Sequence, residues 1–160
     1  MGTEDAERAD EDAADVARIL EVGDKAVTDR QAEAECIVTM TPEACAHLVA
    51  GTPKGDPIEA ARVAGLMGVK RTPDLLPFCH PIAITGAEVA VEPDPSSGTI
   101  RVRTRVRAHD RTGVEMEALT AAAVAALSLY DTAKAFDRAA RIDGVRLLSK
   151  SGGKSGDYQA

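Results

Sequence analysis

Between residues 99 and 108 the chain alternates without a break. Ile100, Val102, Thr104 and Val106 fall on one side of an extended backbone, and Arg101, Arg103, Arg105 and Arg107 on the other. Successive side chains of a strand point to opposite faces, so the segment reads as a strand with one face in a core and one outside it. Residues 82–91 read as its antiparallel partner across the turn-rich Pro93-Asp-Pro-Ser-Ser-Gly98. Four arginines on one face are able to bind phosphate; a solvated sheet face or a subunit contact is the simpler account.

The helices announce themselves by their starts. Thr41-Pro42 supplies an N-cap and a first helical residue, with Gly51 as a stop, so 42–50 is predicted helical. Asp56-Pro57-Ile58-Glu59 opens a second helix, expected to end before Thr72-Pro73. Thr112-Gly-Val-Glu115 has the capping-box pattern and opens an Ala-rich helix predicted to run to about Ala140, with Leu119, Val124, Leu127 and Tyr130 as buried candidates. Cys36-Ile-Val-Thr39 and Val145-Arg-Leu-Leu148 read as short strands. Helices interleaved with a hairpin fit an α+β sandwich, an antiparallel sheet with helices packed on one face.

Charge divides the chain. Seven acids and one base lie in residues 1–15, leaving 19 acids and 18 bases beyond, so the net −7 belongs mostly to the start. Residues 1–15 are expected to be an acidic, disordered tail, 16–150 a single domain, and 151–160 a Gly-rich, Lys-containing flap. A nearly neutral body with four aromatic residues disfavours nucleic acid as a partner. Neither a secretory signal nor a membrane-length apolar run is present, and three cysteines without close pairing suit a reducing compartment, so a cytoplasmic protein without membrane partners is expected.

Few residues stand out as chemistry. Lys54-Gly55-Asp56 sits just before a helix N-terminus, where a lysine and free backbone N–H groups suit an anion. Pro77-Phe78-Cys79-His80-Pro81 clamps a Cys-His pair between prolines. Cys36, Cys45, His47 and His109 complete no zinc spacing with it, so neither metal nor cofactor is expected. Glu115 and Glu117 fall in the first turn of the long helix, which helix-end electrostatics alone explains. Asp131 and Lys134, three apart, share a helix face, either as a surface ion pair or as a tuned proton-transfer pair. Asp131 follows Glu117 by 14 residues, about 21 Å along one helix. One small ligand cannot touch both on a single chain; a long ligand or a site shared between subunits resolves this. Lys150-Ser-Gly-Gly-Lys154-Ser-Gly156 fails as a phosphate loop because Leu148 stands where the motif needs glycine.

Taken in order, these segments resemble the cyclic pyranopterin monophosphate synthases, the molybdenum cofactor biosynthesis protein C family. The matching runs include Lys54-Gly-Asp56, Lys70-Arg-Thr72, Cys79-His-Pro81, Gly113-Val-Glu-Met-Glu117, Tyr130-Asp131, Lys134-Ala135 and Lys150-Ser-Gly-Gly-Lys-Ser-Gly156, within about Val22 to Asp157. The family usually has Leu where Phe78 stands. The resemblance implies a ferredoxin-like fold, a homohexamer built as a trimer of dimers with sites at subunit interfaces, and a lyase acting on 3′,8-cyclo-7,8-dihydro-GTP with release of pyrophosphate. It implies Asp131 as acid/base and Lys54 and Lys134 as catalytic lysines. Phe78, Cys79, His80, Glu115, Met116, Glu117, Arg30, Lys150 and Lys154 are then substrate-binding positions. The reading set against it is a non-catalytic nucleotide or pterin-phosphate binding module.

Overall fold

The computed structural model describes residues 16–160. The expected acidic tail, 1–15, lies outside the described residues. Strand β1 (Thr28–Thr39) is followed by helices α1 (Pro42–Ala50) and α2 (Pro57–Leu75), the hairpin β2 (Ile84–Asp94) and β3 (Thr99–Asp110), helix α3 (Glu115–Ala133), and strands β4 (Arg141–Ser151) and β5 (Tyr158–Gln159). The five strands form one sheet in the order β2-β3-β1-β4-β5, every neighbouring pair antiparallel. With α1 set aside, β1-α2-β2-β3-α3-β4 is the split βαβ arrangement of the ferredoxin-like class.

The alternation seen in the sequence decides which face the helices cover. Ile100, Val102, Thr104, Val106 and Ala108 are buried, and in β1 so are Ala32, Ala34, Cys36 and Val38. Against them lies α3, whose inward stripe is almost all alanine: Ala118, Ala121, Ala122, Ala125, Ala126, then Leu129 and Ala133. Small residues on both surfaces let helix and sheet backbones approach closely, and the Thr104 hydroxyl bridges them by donating to the Ala118 carbonyl at 2.8 Å. The two helices meet in the same way. A Cβ on Gly68 of α2 would lie 3.3 Å from the Ala121 Cα and 3.2 Å from the Val124 Cβ, closer than most packed atoms settle.

The open face of the sheet carries the arginines in rows of alternating charge. Glu88, Arg105 and Glu33 stand opposite one another on β2, β3 and β1, with Arg105 2.7 Å from Glu33 and 3.6 Å from Glu88. Arg107 also pairs with Glu88. One row further, Glu35 receives Arg146 at 2.7 Å and lies 3.9 Å from Arg103. Arg103, Arg105 and Arg107 are thus matched by carboxylates, which favours the structural account of this face over phosphate binding. Each exposed pair is worth only about 0–1 kcal/mol.

Several boundaries differ from the sequence expectation. Helix α2 runs through Pro73 to Leu75, because a proline in the last turn removes one hydrogen bond and the helix ends at Leu76 anyway. Val114, not Thr112, takes the N-cap position of α3 and makes no side-chain cap, so the capping box does not form; Glu115 turns instead toward Lys150, 3.3 Å away. The same helix stops at Ala133 rather than Ala140. Beyond it Ala135 and Phe136 donate to carbonyls three residues back, and the Asp137 carboxylate accepts from the Thr41 and Ala139 amides, taking the chain out of the helix. Leu127, expected inside, is 56% exposed.

Candidate active site

The sequence-predicted site residues gather at the two ends of α3. At its C-terminal end the Asp131 carboxylate and the Lys134 ammonium lie 2.7 Å apart. Their i,i+3 spacing brings them to one face, and Lys54, on the turn after α1, lies near enough for its charge to act on Asp131. That turn is tightly closed: Thr52 and Gly55 exchange backbone hydrogen bonds of 2.9 Å, and the Lys54 amide donates to the Thr52 hydroxyl. Gly55, at φ 121°, permits the bend.

Electrostatics sorts the pair. The hydrogen bond and charge of Lys134, with a smaller contribution from Lys54, hold Asp131 below its ordinary value. Asp131 in turn raises Lys134. At neutral pH the carboxylate is therefore ionised and the ammonium protonated. Both face solvent in the single chain, with side chains 71% and 56% exposed.

The N-terminal end of α3 holds the second cluster. Glu115 pairs with Lys150 of β4, whose ammonium also donates to the Ser155 hydroxyl at 2.7 Å. Arg30 of β1 donates to the Arg111 carbonyl at 3.1 Å, its Nε is buried without a partner, and Gly153 packs directly against its guanidinium. Glu117, 2% exposed, has its pKa pushed up by burial, to about 7. Cys79 lies near enough for Glu117 to act on it, and burial and that carboxylate both raise its thiol. His80 is half-buried in the segment joining α2 to β2, and Phe78 in that segment and Met116 in the first turn of α3 are exposed. Lys154 is exposed on the loop between β4 and β5. That loop returns to the sheet: Lys150 pairs with Tyr158, and the Ala160 amide donates to the Leu148 carbonyl.

Within one chain the structure therefore joins Lys54, Asp131 and Lys134. It separately assembles Arg30, Cys79, Glu115, Glu117 and Lys150, and does not bring the two groups together. Among the described residues no cluster of three or more His, Cys, Asp or Glu residues is arranged to hold a metal ion.

Two expected outcomes arise from the second cluster. A raised thiol pKa makes Cys79 a poor nucleophile. Cys79→Ser is expected to keep most of the turnover, and capture of a covalent thioether on Cys79 would contradict this. For Glu117, a carboxyl near 7 in the folded chain against 4.5 ordinarily means that the folded state holds a proton the unfolded state has released between those pH values. Stability therefore falls as pH rises through that window, by up to about 3 kcal/mol. Glu117→Gln is expected to flatten the trend, with thermal midpoints of wild type and variant diverging from pH 5 to pH 8 in favour of the variant.

What fold and geometry define so far is a class: an α+β protein of ferredoxin-like topology whose long helix carries an aspartate–lysine ion pair at one end and a glutamate–lysine pair at the other. The comparisons make this particular. Residues 19–153 match the model of the MoaC family, so the chain belongs to that family. It is 50% identical over 149 residues to the cyclic pyranopterin monophosphate synthase of Chloroflexus aurantiacus, covering 92% of this chain and 91% of that protein. With the proteins of the same name from Brucella ovis and Herpetosiphon aurantiacus it shares 51% identity, over 92% and 89% of this chain and 90% and 88% of theirs. Among the described residues no helix is long and apolar enough to cross a membrane.

Proposed function

We propose that this chain is a lyase that converts 3′,8-cyclo-7,8-dihydro-GTP to cyclic pyranopterin monophosphate and pyrophosphate, an early step of molybdenum cofactor biosynthesis. The observation that carries the reading is the 2.7 Å Asp131–Lys134 pair with Lys54 beside it, in a chain half identical along nearly its whole length to synthases of that name. Forming the cyclic phosphate requires a substrate hydroxyl oxygen to bond to the α-phosphorus while the P–O bond to the β-phosphate breaks. Asp131, held ionised, accepts a proton, and rearrangement of the purine skeleton needs such transfers on nitrogen and oxygen as well. Lys54 and Lys134 neutralise charge as it grows on the phosphate oxygens.

The remaining positions form the binding half. Lys150 and Lys154 contact the polyphosphate, Phe78, Cys79, His80, Met116 and Glu117 bind the rest of the substrate, and Arg30 and Glu115 add polar contacts. The expected flap over 151–160 is reduced to the loop carrying Lys154, because Tyr158–Gln159 stay paired with β4. About 21 Å of helix separates the halves on one chain, so a complete site takes one half from each of two copies in a cytoplasmic homohexamer, a trimer of dimers. Support comes from the outward surface of the helices, where Val49, Val63, Leu66, Met67 and Leu127 are exposed. The experiment is incubation of the purified chain with the cyclic precursor: equimolar pyrophosphate and pyranopterin support the reading, and tight binding without pyrophosphate would leave a binding module instead.

A further inference from the structure

Helix α1 is fastened to the end of α3 at two points outside the core. Its N-cap amide, Thr41 N–H, donates to one oxygen of Asp137 at 2.9 Å, while the other oxygen accepts from the Ala139 amide at 2.8 Å. In its last turn the His47 ring stacks on Phe136, with centroids 4.6 Å apart and planes within 9°. Aromatic pairs of this kind hold beyond the area they bury. Phe136 and Asp137 are themselves tied to α3, since both amides donate to the Ala133 carbonyl, at 2.9 and 2.8 Å. Buried Ala44, Cys45 and Leu48 decide which face of α1 meets the core. The stack and the carboxylate decide where its last turn lies relative to Lys134.

That position matters because α1 leads through Gly51 directly into the closed Thr52–Gly55 turn that carries Lys54. We propose that His47 and Asp137 are positioning residues, which bind α1 to the segment after Lys134 and thereby hold Lys54 beside the Asp131–Lys134 pair. The inference rests on the catalytic reading of those three residues. Neither His47 nor Asp137 need touch substrate: the clamp closes a ring in which Lys54 sits at one end and Lys134 at the other. Preorganisation of charged groups is lost steeply when one of them drifts by about 1 Å.

The test uses His47→Ala, His47→Phe and Asp137→Ala in the full chain, with kcat, KM and amide hydrogen exchange. His47→Ala is expected to lower kcat about tenfold while KM stays within about twofold. His47→Phe, which keeps the stack, is expected to restore kcat. Thr52 and Gly55 amides are expected to exchange faster in His47→Ala, and the Thr41 amide faster in Asp137→Ala. Wild-type kcat in His47→Ala, or a loss that His47→Phe does not rescue, would overturn the proposal. If the wild-type chain fails to turn over the cyclic precursor, the catalytic reading falls and exchange alone decides: faster exchange at Thr52 and Gly55 supports the clamp, and unchanged exchange refutes it.

Discussion

Asp131→Asn is expected to lower turnover by about 10³-fold while leaving folding and assembly unchanged. Asparagine keeps the shape and one acceptor oxygen but cannot take up a proton, so the substitution removes acid–base function and little else. The side chain is 71% exposed in the single chain and its partner Lys134 is exposed too, so no core contact is lost. A thermal midpoint equal to that of wild type, alongside lost pyrophosphate release, checks both halves of the expectation. A rate near wild type would move the proton transfers to another residue.

Lys134→Met is expected to cost about 10²-fold, the loss typical when one preorganised charge is withdrawn from a developing anion. Its more diagnostic effect is on pH dependence. Lys134 is the first cause of the lowered Asp131 pKa, so its removal lets Asp131 rise toward the ordinary carboxylate value. A base must be ionised to act, and the pH below which kcat/KM declines therefore moves upward in the variant. An acid limb that stays in place while activity falls would separate Lys134 from Asp131.

What the residues themselves disclosed was mostly local. Thr41-Pro42 and Asp56-Pro57 do open helices, with the Thr41 hydroxyl accepting from Ala44 and the Asp56 carboxylate from Ile58 and Glu59. The Ile100 to Val106 alternation does separate core from charged face. The end of α3 was not legible, because no glycine or proline marks it; Asp137 is drawn off by Thr41, 96 residues away in the chain. Leu127 misled for a related reason: alanines fill the contact with the sheet, and the larger side chain is left outside.

The site divides in the same way. Spacing alone made Asp131 and Lys134 neighbours, and helix arithmetic separated them from Glu117. The arrival of Lys54 beside them depends on how α1 packs, which no spacing encodes. Glu117 was readable as a first-turn acid, yet its burial, and with it the raised pKa, is set by packing at the N-terminal end of α3. The His47–Phe136 stack joins residues 89 positions apart, with no local pattern to mark it.

The proposed site sets the Asp131–Lys134–Lys54 end of one chain against the Arg30–Lys150–Lys154 face of another. Mixed-subunit complementation tests it most directly. Asp131→Asn chains and Lys150→Ala/Lys154→Ala chains, each inactive alone, are co-expressed with different tags and purified as mixed assemblies. Activity is predicted to return, because some interfaces then pair an intact acid–base end with an intact binding face. Mixed assemblies as inactive as their components would contradict the shared site.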